Sequence, residues 1–324
     1  MNLSRRVFDD ISQLIGSRGN PTPLVRLNRL PLPGGGEIFA KLEWMNPFGS
    51  IKDRTARFLL DGLLRDGKLS GKKIVEPTSG NTGIALVALS NLLGIPCTIT
   101  IPSGAPEEKI TLLRLLGAEV WPTPDDLCPI DHPKDGAIAL ARSFVTGEAT
   151  KDQYVMPNQY ENPDNVRAHY ESTGPEIWDQ TEGKVTHFFA GYGTCGTITG
   201  VAKFLKERNP DVRIVAIEPE KGHHLSGLKN FQESKKPVIL DEALIDKTVR
   251  VPDASAYETD IRLAREESLL VGPSTGAIVW AALREELPAG AVAVCISPDS
   301  SFKYASQYAQ HLADAGVPTV AVTA

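Results

Sequence analysis

Short apolar runs alternate with longer amphipathic segments along most of the chain. The short runs have the length of β-strands, and the longer segments carry apolar residues at helical spacing. The pattern predicts strands at 38–42, 73–76, 97–101, 118–121, 153–156, 185–190, 213–218 and 291–297. It predicts helices at 7–15, 55–64, 83–93, 107–116, 136–144, 197–208 and 277–283. Such alternation is typical of parallel sheets covered by helices, so we expect an α/β fold.

The alternation occurs in two series, which suggests two α/β domains with a cleft between them. The first series ends near residue 156, and the second resumes at residue 185. Within the first series, residues 122–133 are rich in proline and aspartate, and this composition predicts an exposed loop.

The composition narrows the class of protein. The chain has 324 residues, 41% of them hydrophobic and 23% charged, which is ordinary for globular domains and long enough for two of them. The net charge of -6 gives no basic surface for nucleic acid, and no apolar run is long enough to span a membrane. No signal-peptide core follows Met1, so we expect a cytoplasmic protein.

The cysteines and histidines do not predict a metal site. Four cysteines stand at positions 97, 128, 195 and 295 without paired spacing, so neither a disulfide framework nor a zinc site is indicated. The adjacent His223 and His224 have no third candidate ligand at a useful spacing. We therefore predict no metal.

One stretch places a lysine where a strand gives way to a helix. Residues 46–50 interrupt the chain after the strand at 38–42 and supply a helix cap, so Lys52 falls in the first helical turn. The helix dipole and desolvation would both lower the pKa of an amine there. Taken alone, Lys52 is either a reactive amine or part of a solvated charge cluster with Asp53 and Arg54.

Three further motifs follow this one in the chain. The four stretches are NPFGSIKDR (46–54), PTSGNTG (77–83), GYGTCGT (191–197) and GPSTG (272–276). Together they resemble the pyridoxal-phosphate enzymes of the cysteine synthase and cystathionine β-synthase family. The resemblance extends from about Gly19 to about Tyr304, and four ordered motifs are far more specific than one glycine pattern.

The resemblance implies fold type II, the tryptophan synthase β-like fold, in which a smaller mobile domain is inserted into a larger one. By this resemblance, residues 1–44 and 155–324 form the larger domain, which binds the cofactor phosphate. Residues 45–154 form the smaller domain, which carries the Schiff-base lysine and the loop for the substrate carboxylate. The family also suggests a homodimer.

The resemblance assigns one group to each part of the cofactor, pyridoxal 5'-phosphate. Lys52 would bond to the aldehyde, Asn81 would bond to the 3-hydroxyl, and Ser274 would bond to the pyridine nitrogen. The phosphate would lie in the turn formed by Gly193, Thr194, Cys195, Gly196 and Thr197. A glycine-rich turn before a helix offers amide donors and a positive dipole end to a phosphate.

These motifs also have simpler interpretations. The turn at 193–197 suits an ordinary strand–helix connection or a nucleotide phosphate, and Ser274 suits a helix cap. Two residues depart from the family pattern. The family usually has glycine or a small residue at the position of Cys195, and commonly an aliphatic or small residue at the position of Pro273. We interpret Cys195 as tolerated and not as a nucleophile, because no base is near it in sequence. Because of Pro273, the sequence does not predict the path of the loop that carries Ser274.

The amino-acid substrate is assigned by the same resemblance. The family holds the substrate carboxylate with a loop that here contains Thr78, Ser79, Gly80 and Thr82. Gln159 resembles a glutamine that reaches the same carboxylate, although a simple turn is the alternative. Lys229 stands where relatives that use phosphoserine have arginine, so it is either a phosphate ligand or part of a solvated basic loop. His169 also matches the family, and we assign it to packing.

The predicted reaction is a cysteine synthase-type β-replacement. O-acetylserine or O-phosphoserine would react with sulfide, or with another thiol, to give L-cysteine. A cystathionine β-synthase-like condensation of serine with homocysteine is the nearest alternative, and a serine or threonine dehydratase is a more distant one. A different class is a nucleotide-binding regulatory protein, which gives Lys52 no role. A catalytically idle relative that acts by complex formation is the last alternative.

Overall fold

The computed structural model describes residues 7–32, 34–124 and 136–314. Within these ranges the chain forms two β-sheets that are covered by helices. The larger sheet contains β1 (Leu24–Arg26), β2 (Glu37–Leu42), β7 (His187–Gly191), β8 (Arg213–Pro219), β9 (Lys247–Val251) and β10 (Val292–Ser297). The smaller sheet contains β3 (Lys73–Pro77), β4 (Cys97–Pro102), β5 (Glu119–Thr123) and β6 (Tyr154–Val155).

Both sheets are built mainly from parallel strands. The larger has the order β1-β2-β10-β7-β8-β9, in which only β1 runs antiparallel to its neighbour. The smaller has the order β5-β4-β3-β6 and is parallel throughout. Parallel neighbours need long crossover connections, which explains the strand–helix alternation of the sequence. The predicted α/β class is confirmed.

Ten α-helices supply most of these crossovers in the described residues. They are α1 (Lys52–Arg65), α2 (Asn81–Leu92), α3 (Glu107–Leu115), α4 (Ala137–Thr146), α5 (Pro163–Ala168), α6 (Gly174–Gln180), α7 (Gly196–Arg208), α8 (Asp253–Glu266), α9 (Pro273–Ala282) and α10 (Ala305–Asp314). A π-helical segment, His169–Thr173, joins α5 to α6. None of the described helices combines the length and the apolar character that crossing a bilayer requires. The described ranges also contain no cluster of three or more His, Cys, Asp or Glu side chains suited to a metal ion.

The strands are visible in the sequence because the sheets are buried on both faces. Every residue of β4 and β10 is buried, so each strand is a nearly continuous apolar run. Helices α2 and α9 are also apolar on all sides and pack into the core. This packing fixes the ends of the strands, where the four sequence motifs lie.

The predicted helix at 7–15 is wrong. Only a 3-10 turn forms there, at Ile11–Leu14, and the Asp10 carboxylate accepts a hydrogen bond from the Ser12 N–H at 2.8 Å. Val7 is 83% exposed and Ile11 is 42% exposed, so the apolar positions bury no helix face. A short helix without such burial is not stable in water.

Other differences lie at the edges of the sheets. The loop predicted at 122–133 starts later, because β5 continues to Thr123, and residues 125–135 lie outside the described residues. Strand β9 was missed because it is an edge strand in which exposed charged residues alternate with valine, so no apolar run marks it. Strand β1 and helices α6, α8 and α10 were also not predicted.

Candidate active site

Residues at the carboxyl ends of β3, β7 and β10 line a common cavity. Ligands of open α/β sheets bind at such carboxyl ends. The predicted site residues in its wall are Lys52, Thr78, Ser79, Asn81, Thr82, Gln159, Gly193, Thr194, Cys195, Thr197, Lys229 and Ser274. Gly80 and Gly196 do not line the cavity, but they shape the turns that do.

Lys52 is the first residue of α1 and faces this cavity. The Ser50 hydroxyl accepts a hydrogen bond from the Lys52 backbone N–H at 3.2 Å, whereas the N-cap position of the helix is Ile51, which has no side-chain cap. Burial lowers the pKa of the Lys52 amine, while the nearby negative charge of Asp299 acts in the opposite direction. A lowered pKa favours the neutral, nucleophilic form of an amine.

The residues after Lys52 do not form a solvated charge cluster. Asp53 is 0% exposed and Arg54 is 1% exposed, so that interpretation is wrong. The Asp53 carboxylate accepts hydrogen bonds from the Phe48 N–H at 2.6 Å and from the Ser50 hydroxyl at 3.3 Å. Burial raises the pKa of Asp53 to about 7. Asp53 thereby holds the turn that presents Lys52.

The predicted phosphate turn joins β7 to α7. A Cβ atom added at Gly193 would lie 2.6 Å from the carbonyl oxygen of Gly227, and one added at Gly196 would lie 2.1 Å from Oδ1 of Asn165. Both positions therefore require glycine because neighbouring atoms approach the backbone closely. The N–H groups in the first turn of α7 have no acceptor within the helix, so they and the helix dipole favour an anion here.

Cys195 precedes α7 in the left-handed conformation, with φ 66° and ψ 0°. This conformation costs a residue with a Cβ roughly 1–2 kcal/mol. The residue is 3% exposed, and burial raises the pKa of its thiol to about 12. A buried, protonated thiol is unreactive, which agrees with the interpretation of Cys195 as tolerated and not nucleophilic.

Two polar residues beneath the turn were not assigned to the site from sequence. Asn165 donates to the Thr194 hydroxyl at 3.1 Å and accepts from the Thr55 hydroxyl of α1 at 3.0 Å. Nε2 of His169 lies 3.2 Å from the Thr197 hydroxyl and 3.3 Å from that of Thr55. These residues connect the turn to α1. His169 matches the family pattern, which was the available signal, but it supports the turn directly in addition to packing.

The predicted carboxylate loop follows β3 and leads into α2. The Thr78 hydroxyl accepts from the Gly80 N–H at 3.0 Å, and Gly80 has a φ of 129°, which residues with a Cβ rarely adopt. Thr82 donates to Oε1 of Gln159 at 2.6 Å, and Nε2 of Gln159 donates to the Pro77 carbonyl at 3.0 Å. The fold thus places Gln159 against the loop, although it follows Thr82 by 77 positions in the sequence.

Glu76 fixes the segment that carries Gln159. Its two carboxylate oxygens accept from the N–H of Asn158 at 2.8 Å and from that of Gln159 at 2.9 Å. Glu76 is 0% exposed, and burial raises its pKa to about 8. Asn158 itself is left-handed, with φ 58°. Glu76 therefore supports this turn from within β3.

Ser274 is buried in the first turn of α9 and lines the cavity. Pro273 occupies the first position of this helix, where proline is favoured because its missing N–H would have no helical partner. The departure from the family pattern therefore leaves the start of the helix intact. The Thr275 hydroxyl lies 3.1 Å from that of Ser297, which joins the helix to β10.

Asn81, the first residue of α2, is held by two residues that were not assigned from sequence. Its Nδ2 donates to Asp299 at 2.7 Å, and its Oδ1 accepts from Lys303 at 3.3 Å. Asp299 follows β10 closely and lines the cavity together with Lys52. Its place at the carboxyl end of a predicted strand is the signal that could have identified it.

Lys229 also lines the cavity and is only 6% exposed. Its Nζ lies 5.0 Å from the centre of the Tyr160 ring, within cation–π range. Its backbone N–H donates to the Tyr192 carbonyl at 2.8 Å. The solvated-loop alternative is therefore wrong for Lys229, whereas Lys221 on the same loop is exposed.

The groups around the cavity fit pyridoxal 5'-phosphate. The cavity is lined by an amine with a lowered pKa, a helix N-terminus flanked by hydroxyls, a buried serine and an oriented amide. Because Gly193 and Gly196 have no side chains, the backbone N–H groups of the turn remain accessible to a phosphate. The cavity thus offers a complementary group for each polar part of this cofactor.

Comparisons with known proteins agree with this fit. Residues 15–299 match the family described as pyridoxal-phosphate dependent enzyme. A cysteine synthase of Aquifex aeolicus is 40% identical over 310 residues, which cover 93% of this chain and 91% of that protein. Cysteine synthase B of Salmonella typhimurium is 37% identical over 301 residues, covering 92% of this chain and 95% of that protein. The crystal structure of cysteine synthase (OASS) from Entamoeba histolytica has a TM-score of 0.83 at 30% identity and covers 94% of this chain and 91% of that one.

The similarity extends over both sheets and over all four sequence motifs. It confirms the resemblance, fold type II and the cofactor, pyridoxal 5'-phosphate. It also identifies an enzyme, so the nucleotide-binding regulatory protein is set aside. The chain belongs to the family of pyridoxal-phosphate-dependent enzymes.

Proposed function

We propose that this protein is a cysteine synthase, which replaces the β-substituent of a serine derivative with sulfide to give L-cysteine. The observation that carries the proposal is the single cavity in which Lys52, the turn at 193–197 and the loop at 78–82 meet. Relatives named cysteine synthase, 36–40% identical over most of the chain, support it. The substrates are O-acetylserine or O-phosphoserine, with sulfide or another thiol.

Lys52 is the residue that holds the cofactor and, once released, moves the α-proton of the amino acid. Both roles require a neutral amine, and burial lowers the pKa of Lys52 in that direction. Pyridoxal phosphate, when bound, supplies the electron sink that makes the α-proton acidic. The negative charge of Asp299 then favours the ammonium form of Lys52 after it has accepted that proton.

The family resemblance assigns the remaining cofactor groups, and the position of Asn81, Ser274 and most of the 193–197 turn in the cavity wall supports that assignment. Backbone N–H groups and hydroxyls of the turn bind the phosphate, through Gly193, Thr194, Cys195, Gly196 and Thr197. Asn81 uses its second Nδ2 hydrogen for the 3-oxygen, because the other is donated to Asp299. Ser274 bonds to the ring nitrogen. A neutral hydroxyl does not force a proton onto that nitrogen, which favours β-replacement over transamination.

The substrate carboxylate binds at the loop that contains Thr78, Ser79, Gly80 and Thr82, where hydroxyl and N–H groups converge at the start of α2. Gln159 assists with its second Nε2 hydrogen, since the other is donated to Pro77. Lys229 places a positive charge in the same cavity wall, and it binds the phosphate of a phosphoserine donor.

We also propose that residues 45–154 form a smaller, mobile domain and that residues 1–44 and 155–324 form the larger one. The strands of the smaller sheet lie between Lys73 and Val155, one residue past the proposed boundary, which supports this division. The family resemblance supports a homodimer, which light scattering would test. The free thiols of Cys97, Cys195 and Cys295 support a reducing, cytoplasmic location, which fractionation of the host cells would test.

The experiment that tests the proposed function combines an assay with chemical trapping. Borohydride reduction followed by peptide mapping should place the cofactor on Lys52. Cysteine formation from O-acetylserine and sulfide should fall by about 100-fold or more in Lys52→Ala, because that variant lacks the proton-transfer group. The control is Lys72→Ala, which changes a partly exposed lysine outside the cavity. Activity of Lys52→Ala within a few-fold of the wild type would refute the mechanism.

A further inference from the structure

Four side chains, three of them buried and one, Asn81, partly buried, meet across the cleft between the two sheets. Asn81 on α2 and Lys109 on α3 come from the side of the smaller sheet, and Asp299 and Tyr304 follow β10 of the larger sheet. Asp299 accepts from Nδ2 of Asn81 at 2.7 Å and from the Tyr304 hydroxyl at 2.5 Å. Nζ of Lys109 donates to the Tyr304 oxygen at 2.8 Å. We name these four residues the cross-cleft clasp.

Three of the four clasp residues are almost fully buried, although Asn81, Asp299 and Tyr304 also line the cavity. Lys109, Asp299 and Tyr304 are each 1% exposed. The Lys109 ammonium also lies 4.1 Å from the centre of the Tyr304 ring, a close cation–π distance. Hydrogen bonds to charged groups are about twice as strong as bonds between neutral groups, and each bond of the clasp involves Asp299 or Lys109.

The clasp also orients the amide of Asn81. Its Nδ2 faces the Asp299 carboxylate and its Oδ1 faces the Lys303 ammonium at 3.3 Å, so the amide has one favourable orientation. Lys303 in turn donates to the Phe48 carbonyl at 2.8 Å, close to the turn that presents Lys52. Oδ1 of Asp299 has no hydrogen-bond partner among the described residues, so the carboxylate retains one free acceptor.

We propose that Asp299 is a positioning residue that holds the α2 side of the cleft closed and aligns Asn81 for the cofactor. The alignment of Asn81 rests on the proposed function, whereas the closing role does not. Without the clasp, α2 and α3 would detach from the 299–304 segment more often. The fraction of molecules ready to bind the amino acid would then fall, which raises KM more than it lowers kcat.

The test uses the cofactor-loaded enzyme and two pairs of variants. Asp299→Ala and Tyr304→Phe each remove part of the clasp. Because Tyr304→Phe keeps the aromatic ring, it still tests the proposal if Asp299→Ala does not fold. The matched controls are Asp260→Ala and Tyr308→Phe. The Tyr308 hydroxyl donates to the buried Asp260 at 2.6 Å, but both residues lie on the side of the larger sheet. The controls therefore lose the same kind of bond without crossing the cleft.

Amide hydrogen exchange in α2 and α3 is the primary measurement, because it needs no substrate. We expect exchange about tenfold faster there in both clasp variants and unchanged in both controls. In Tyr304→Phe, which keeps the Asp299 charge beside Lys52, we also expect the KM for the amino acid to rise several-fold with kcat within about twofold. Unchanged exchange in α2 and α3 of the clasp variants, or equal acceleration in the controls, would overturn the proposal. A protein that makes no cysteine would refute the proposed function and leave the exchange result standing.

Discussion

The guanidinium of Arg54 contacts both carboxylate oxygens of Glu176, 122 positions away, and both side chains are fully buried. Nη2 of Arg54 lies 2.8 Å from Oε2 of Glu176, and Nε lies 2.7 Å from Oε2 of Glu43. Lys41 adds a second cation, 2.7 Å from Glu176. Arg54, two residues after Lys52, thus belongs to a network in which two cations and two anions compensate one another. This network fixes the start of α1 to β2 and α6.

We expect Glu176→Ala to lower the free energy of unfolding by about 3–5 kcal/mol, because it leaves Arg54 and Lys41 buried with one carboxylate between them. Urea unfolding at neutral pH measures the change. The control is Asp179→Ala, which breaks the exposed pair with Arg18 at 2.6 Å and should cost at most about 1 kcal/mol. Equal losses in the two variants would show that the buried network does not hold α1.

His169 should make the stability of the protein sensitive to acid. Burial, together with the positive charges of Lys52 and Arg54, lowers the pKa of His169 to about 3 from an ordinary 6.5. Between these pH values the unfolded chain binds a proton that the folded protein does not, so this part of the stability is lost as the pH falls from 6.5 toward 3. From pH 7.5 to pH 5 the wild type should lose about 2 kcal/mol more than His169→Asn.

Urea unfolding of wild type and variant at several pH values gives that difference, and the comparison cancels the titration of all other groups. His224→Asn is the matched control, because His224 is exposed and should leave the profile of the wild type unchanged. Parallel profiles for the wild type and His169→Asn would contradict the expectation. In that case His169 would already be protonated, or accessible to protons, in the folded protein.

Much of the candidate site could be predicted because its motifs resemble those of a known family, and its residues also lie at junctions that leave a local pattern. Lys52, Asn81 and Ser274 each stand at the start of a helix, next to glycines or prolines that interrupt the chain. Local patterns of this kind depend on neighbours in sequence, so they are visible without the fold. The large buried strands are visible for the same reason, since burial on both faces requires continuous apolar runs.

The residues that were missed act through contacts between distant parts of the chain. Asp299 meets Asn81 over a separation of 218 positions, and Arg54 meets Glu176 over 122. Asn165 lies in a polar segment, PDN, that has no signature of its own. Charged residues are usually exposed, so the burial of Asp53 and Arg54 could not be read from their type. Only the fold brings such groups together.

Cys195 offers a test of the backbone conformation in the phosphate turn. Cys195→Gly should keep the free energy of unfolding within about 1 kcal/mol, because relief of the left-handed strain offsets the lost burial of the thiol. Cys195→Val should lose about 2 kcal/mol or more, because a β-branched residue is strongly disfavoured at a φ of 66°. Urea unfolding compares the two variants at one position. A valine variant as stable as the glycine variant would contradict the left-handed conformation.

Lys229 offers a test of the leaving group that the enzyme accepts. We expect Lys229→Ala to weaken the reaction of O-phosphoserine by about 1.5–3 kcal/mol in kcat/KM, the range for a hydrogen bond to a charged group. The reaction of O-acetylserine should barely change, because its neutral leaving group does not require the cation. Steady-state assays with both donors and sulfide measure the two effects on one preparation. Lys229→Arg should retain the phosphoserine reaction, because a guanidinium binds phosphate in a bidentate manner.

The control for Lys229 is Lys221→Ala, which removes an exposed lysine from the same loop. It should leave both reactions unchanged, because a solvated charge outside the cavity contributes little to binding at 0.1 M salt or above. Equal losses on both donors in Lys229→Ala would mean that the lysine supports the cavity wall through Tyr160 and does not recognise the leaving group. Failure of the wild-type enzyme to use phosphoserine would exclude the phosphate role and leave O-acetylserine as the donor.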